Sequence, residues 1–220
     1  MDVPLRKVAY EKFKGRLFDK TLTPGSFVTQ RELCDVLESP MGAVREALKR
    51  LEAEGLINLL PQRGVQIADI NIRFINDSFQ FRVLIEEEAA RRMARAPQRE
   101  ILQGILRRTV DLKDRAVDAP KDVEGLLSEG LQVDLDLHVA LIANFENSLI
   151  TDTYQNLEDR VRLIRLNSQY SLDRLSVAME EHIKIISSLL DGDENASAEA
   201  LKAHLRTSWR RALGDKEVGL

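Results

Sequence analysis

Residues 44–67, VREALKRLEAEGLINLLPQRGVQI, decide the fold, because a positively tipped helix runs in them straight into a short hairpin. On a helical wheel Val44, Ala47, Leu48 and Leu51 fall on one side, and Gly42, Arg45, Glu46 and Lys49 on the other. The first face packs against a core; the second is free to enter a major groove. Behind it, Leu56–Leu60 and Val65–Ala68 are short β-prone runs around the Pro61-Gln62-Arg63-Gly64 turn. A helix followed at once by such a wing is the way a winged helix-turn-helix meets DNA.

Working outward, Val8, Ala9, Phe13 and Leu17 keep helical spacing until Thr23-Pro24-Gly25 stops the helix. Thr29 with Glu32 three residues on predicts a capping box opening a second helix, with Leu33, Val36 and Leu37 facing inward. Ser39-Pro40 predicts the start of the third, with Pro at a position that has no N–H bond to lose, and Gly55 ends it. From Ile72 the pattern changes to long amphipathic segments, predicted as helices over 73–96, 98–116, 121–144, 147–168, 171–190 and 196–213. Their breaks are Pro97, Pro120, Asn147, Ser171 and Gly192. The expected fold is mainly α: a winged helix-turn-helix over residues 1–70 and an all-helical six-helix antiparallel bundle over 71–220.

Charge follows the same division. Residues 1–68 carry 11 Lys and Arg against 9 Asp and Glu, and the remainder 21 against 27, so a mildly basic head sits on an acidic body. That suits a protein whose head alone touches phosphates, and the total of -4 argues against a histone-like or membrane-surface protein. The single cysteine, Cys34, excludes an intramolecular disulfide and reads as a small core residue. With no secretion signal and no apolar run of bilayer length, the expected compartment is the cytosol.

Leu22-Thr23-Pro24-Gly25, Leu33, Val44-Arg45-Glu46-Ala47-Leu48, Leu51-Glu52-Ala53-Glu54-Gly55-Leu56 and Arg63-Gly64 together resemble the DNA-binding domain of the GntR family. The resemblance implies DNA contacts at Arg31, Arg45, Lys49, Arg63 and Gly64. It departs at Pro40-Met41-Gly42-Ala43, where the family usually writes a Ser-Arg-Thr-Pro-like run, so the usual base-reading arginine is missing. Met41 and Gly42 then occupy the reading position, with Met41 offering apolar contact to a thymine methyl.

The chain has three histidines, His138, His182 and His204, all on predicted helices of the body. Asp134 precedes His138 by one turn, on a face that also carries Leu127, Leu131, Leu141 and Ile142 and is expected to point inward. His182 lies among Met179, Ile185, Ile186 and Leu189, and His204 between Leu201 and Leu205. Burying one carboxylate and three imidazoles is costly unless they bind each other or a cation. Taken singly, each histidine is more often a hydrogen-bonded core residue than a ligand.

Asp134-Leu135-Asp136-Leu137-His138, Glu181-His182 and Ala203-His204-Leu205 resemble the metal-binding pattern of the FadR C-terminal (FCD) effector domains that follow GntR heads, with Leu137 where Phe is usual. The resemblance implies Asp134, His138, His182 and His204 as ligands to a divalent Zn, Ni or Mn ion, with coordination left for water or a carboxylate. Arg82 and Glu86 match that family's R-x-x-x-E and are the implied effector-binding pair, Arg82 anchoring a carboxylate bidentately. An intrahelical salt bridge between the two is the plain alternative.

The sequence is read as a homodimeric, ligand-responsive transcription regulator, a repressor, binding double-stranded operator DNA and a small carboxylate-bearing effector. Two other readings stay open. One keeps the fold without the metal, its pocket taking an apolar effector directly; the other is a metal-dependent hydrolase with Glu181 as general base. Consecutive helix residues point about 100° apart, which disfavours Glu181 acting at the metal of His182.

Overall fold

The computed structural model describes residues 4–117, 122–166 and 171–214. Its chain contacts divide into two units, Met1–Phe74 with Asp159–Leu166, and Ile75–Glu158 with Asn167–Leu220.

In the first unit α1 (Leu5–Phe18) buries Ala9, Tyr10, Phe13 and Leu17, one face of a helix. The Thr23-Pro24-Gly25 turn then delivers a two-residue strand, β1 (Phe27–Val28), that no periodicity announces. Thr29 opens α2 (Gln30–Val36) with a full capping box: Glu32 N–H donates to Thr29 Oγ1 at 3.1 Å and Thr29 N–H to Glu32 Oε2 at 2.7 Å. The following helix, α3 (Met41–Ala53), starts one residue later than expected. Pro40 is its N-cap rather than its first residue, at φ -66° and ψ 147°, an extended backbone in which its missing N–H still costs nothing.

Strands β2 (Ile57–Leu60) and β3 (Gly64–Ile67) form the wing, antiparallel with Ile57 opposite Ile67 and Leu60 opposite Gly64. β1 pairs with the other edge of β3, giving the order β1-β3-β2. Gly64 is required twice. Its φ is +89°, and a Cβ there would stand 2.8 Å from the carbonyl oxygen of Val28 on β1. Glu52 on α3 accepts a hydrogen bond from Leu59 N–H at 2.9 Å, tying the exposed edge of the wing to the helix before it.

The helices α4 (Ile72–Arg95), α5 (Arg99–Val117), α6 (Val123–Ala143), α7 (Ser148–Leu166), α8 (Leu172–Asp191) and α9 (Glu194–Ala212) follow, and the expected ends that fall on described residues agree within two residues. The proposed break at Pro120, the start at Lys121 and the end at 167–168 lie outside the described residues. In the second unit α8 packs against α5, α6 and α9, and buries Leu175, Met179, Ile185, Ile186 and Leu189. One expectation for α6 needs correcting. Leu131 is exposed and Leu127 half-buried, because the inward stripe runs through Leu126, Gly130, Val133, Asp134, Leu137, His138, Leu141 and Ile142.

A short left-handed turn joins α8 to α9. Gly192 takes φ 77°, Asp193 N–H returns to Ser188 O at 3.1 Å, and the Asp193 carboxylate caps α9 through Ala196 N–H at 2.9 Å. Near the end of α9 the chain's single tryptophan, Trp209, stacks on Phe79 at 6.2 Å and donates to Asn76 Oδ1 at 2.9 Å. Among the described residues no helix is long and apolar enough to cross a membrane.

Candidate functional site

The tight α8–α9 turn sets the first part of the site. His182 stands ten residues before Gly192 and His204 eleven after Asp193, so at 1.5 Å per residue both rings lie about 15 Å from the turn and meet at the same height. Their centroids are 4.7 Å apart. Asp134 and His138, one turn apart on α6, complete the group, with His138 5.4 Å from His204 and 6.0 Å from His182. All four residues are buried, and one ligand atom from each lies within 4.8 Å of all the others.

The Nε2 atoms of His138, His182 and His204 lie 3.7, 3.3 and 3.7 Å from the same oxygen, Asp134 Oδ1. Among the described residues none of these three nitrogens has a hydrogen-bond partner. Donor atoms held about 2.1 Å from a common ion stand about 3.0 Å apart at octahedral angles and about 3.4 Å apart at tetrahedral ones, so a spacing near these values fits a divalent transition metal. Burial, reinforced by the neighbouring rings, pushes the His182 imidazole down to about 4 against the pull of Asp134. It is therefore neutral at pH 7, the form that ligates.

Behind His138 lies a second buried group. Glu86 Oε2 sits 2.5 Å from His138 Nδ1, while Glu86 Oε1 accepts from Arg82 Nε at 2.5 Å and from the Tyr154 hydroxyl at 2.7 Å. Burial alone would raise the Glu86 carboxyl, but the Arg82 cation and the His138 ring hold it down at about 2. Burial and Arg82 press His138 down; Glu86 and Asp134 outweigh them and leave it raised.

The plain alternative for Arg82 and Glu86, an intrahelical pair, is therefore present, yet it accounts for only part of the arginine. Arg82 is fully buried, and its Nη1 and Nη2 have no hydrogen-bond partner among the described residues. Glu86, expected at the effector, has both oxygens engaged within the protein and orients His138. In the sequence Glu181 reads as a candidate general base. Its Oε2 instead lies 2.7 Å from His204 Nδ1, behind the ring rather than at the cluster. Tyr154 carried no signal in the sequence, because a lone tyrosine on an amphipathic helix reads as core.

In the first unit Arg31, Gly42, Arg45, Lys49 and Arg63 are exposed and Gly64 is half-buried in the wing. Arg45 donates from Nε to Gln30 Oε1 at 3.1 Å, and Lys49 pairs with Glu46 at 2.8 Å. Met41 is half-buried, with its sulfur 3.9 Å from Cys34 Sγ, so part of its apolar surface is already taken by α2.

Known families match this arrangement over both units. Residues 5–67 match the bacterial regulatory proteins of the gntR family, and residues 77–207 match the FCD domain. The chain is a GntR-family transcription regulator with an FCD domain. Among curated relatives, the Nta operon transcriptional regulator of Aminobacter aminovorans is 27% identical over 191 residues, covering 86% of each chain. The HTH-type transcriptional repressor RspR of Escherichia coli K12 is 23% identical over 207 residues, covering 92% of this chain and 86% of its own. Among solved structures, E. coli McbR/YncC superposes with a TM-score of 0.76 at 15% identity, covering 97% of this chain and 99% of that one. This GntR-family regulator thus has a DNA-binding head and an effector domain, and its families and relatives are regulators, not enzymes.

Proposed function

We propose that this regulator is a metal-dependent sensor of a small carboxylate, acting in the cytosol as a homodimeric repressor. The observation that carries the reading is Arg82. A fully buried guanidinium with two terminal nitrogens lacking an acceptor is a costly arrangement, and a planar carboxylate is the ligand whose geometry satisfies both. The same carboxylate is suited to the coordination that Asp134, His138, His182 and His204 leave open on a Zn, Ni or Mn ion. When bound, that ion supplies a Lewis-acid anchor for an effector oxygen; the chain's own groups do the rest. Asp134 and the three imidazoles hold the ion, Glu86 orients His138, and Arg82 receives the carboxylate.

Dimerisation follows from the head, because one small winged unit makes too few contacts for operator affinity. Two heads about 34 to 36 Å apart read a short palindrome. In each, Arg45 and Lys49 face the groove, Arg31 and Arg63 approach phosphates, Gly64 lets the wing lie close, and Met41 and Gly42 begin the reading helix. RspR is named a repressor, which supports repression here. Effector binding acts by different affinity for two dimer geometries, releasing the operator in one of them.

Native mass spectrometry of tag-free protein tests this directly. One divalent ion per chain, and a retained small acid in part of the population, is the expected result. Metal-free protein that binds operator and an apolar ligand would replace this proposal with the metal-free reading.

A further inference from the structure

The two carboxylates behind the histidines are built differently, and the difference assigns Glu181 a role. A ligating imidazole must present a lone pair on one nitrogen, and the partner of its other nitrogen decides which one. For His204, Nδ1 faces Glu181 Oε2 at 2.7 Å, which places the ring proton there and leaves Nε2 toward Asp134. A half-buried glutamate alone would be free to swing away. Arg174, itself buried, prevents this by donating to the same Oε2 from Nη1 and Nη2, both at 3.3 Å. Arg174 Nη2 also donates to Ser208 Oγ at 3.3 Å.

Sequence spacing explains the assembly. Arg174 and Glu181 are seven residues apart on one face of α8, and His204 and Ser208 are one turn apart on α9. Glu181 points away from its neighbour His182 because successive helix residues diverge by about 100°, and that same divergence turns it toward the ring on the adjacent helix. Glu86 does a comparable task for His138, but shares its oxygens with Arg82 and Tyr154. His182 Nδ1 has no hydrogen-bond partner among the described residues.

We propose that Glu181, braced by Arg174 and Ser208 across the α8–α9 hairpin, is a positioning residue that fixes His204 for metal binding independently of the effector anchor at Arg82. This rests on the metal reading of the Asp134–His138–His182–His204 cluster.

The test uses the full chain stripped of metal and Zn²⁺ alone as probe, with affinity read by competition against a chromophoric chelator. Loss of an outer carboxylate from a ligating histidine lowers metal affinity about 10- to 100-fold. Glu181→Gln keeps the shape and a neutral acceptor and is expected near 10-fold, and Glu181→Ala near 100-fold. Glu181→Asp is expected to recover part of the affinity, and Arg174→Gln to lose less in the same direction. Urea melts of the metal-free variants, followed by Trp209 fluorescence, identify any that fail to fold; affinities are compared only among those that do. His204→Ala is the control. If His204→Ala loses zinc while Glu181→Gln and Glu181→Ala bind as the parent does, the positioning role is wrong and the metal reading stands. If His204→Ala also binds as the parent does, the metal reading itself is overturned.

Discussion

Replacing Arg82 with Met separates a buried charge pair without opening a large hole, and the outcome can be worked from the surroundings of Glu86. Its carboxylate has three donors, Arg82 Nε, the Tyr154 hydroxyl and His138 Nδ1, and Arg82 is the permanent cation among them. Stranding one half of a buried ion pair costs about 3–5 kcal/mol, and the two donors that remain put Arg82→Met at the lower end, about 3 kcal/mol. Glu86→Gln takes from Arg82 the first of its counter-charges, leaving it only Glu158 and Asp134, and is also destabilising. The double variant removes both halves of the pair, and the coupling between the two sites is expected near the top of the usual range of about 0.5–3 kcal/mol for contacting residues. Urea unfolding in chelator-treated buffer gives the numbers, with Trp209 as reporter, since it is the only tryptophan and packs on Phe79 in the second unit. A loss below about 1 kcal/mol for Arg82→Met, or strictly additive single costs, would show that the pair is not closed in solution. Arg82 would then not be the anchor of the effector.

Saturating zinc, at a hundred times its dissociation constant, is expected to stabilise the metal-free chain by about 2.7 kcal/mol. His138→Ala and His204→Ala should abolish that gain while operator binding by the head persists; a retained gain counts against the ligand set. Gly64→Ala strains a backbone at φ +89° and drives a methyl group toward Val28 O. A cost above about 1 kcal/mol and weaker operator retention in gel shifts are expected, and unchanged retention would show that wing shape does not matter. Arg45→Ala should cost about 1–3 kcal/mol and relax selection at one base position in a randomised operator library; equal loss on all sequences would make it a phosphate contact. Burial and the Glu54 hydrogen bond push the Tyr10 phenol well above its usual value, so the folded head favours the neutral form. Its contribution is present below the unfolded value of about 10 and lost as pH rises beyond it. Tyr10→Phe should flatten that alkaline decline in urea melts, and an identical pH profile would remove the assignment.

Much of this fold was legible because the decisive residues act locally. The Thr29–Glu32 capping box, the Gly64 turn and the Asp134–His138 pair are each complete within five residues, so spacing alone exposes them. Strand β1 was not legible: two residues have no period, and Phe27–Val28 becomes a strand only because β3 offers an edge. The backing of the histidines was hidden for a different reason. Glu86 reaches His138 across 52 positions and Glu181 reaches His204 across 23, and only folding reveals which acid faces which ring. Glu86, one turn from Arg82, reads as its partner at the effector or in an intrahelical salt bridge, and only the buried side of α4 turns it toward His138. The face of α6 shows the limit of counting: Leu131 is as apolar as Leu126, yet only the latter is turned inward.

The turn at Gly192–Asp193 imposes a ruler on any descendant of this chain. Deleting one residue between His182 and Gly192 would rotate the ring by about 100° and lower it by 1.5 Å, and no adjustment in α9 alone could restore the meeting. Insertions can survive in these two arms only in matched sets that return both rings to one level. Length variation among functional siblings should therefore collect elsewhere, leaving an interval of 22 positions between the two histidines as a fingerprint that outlasts the residues around it.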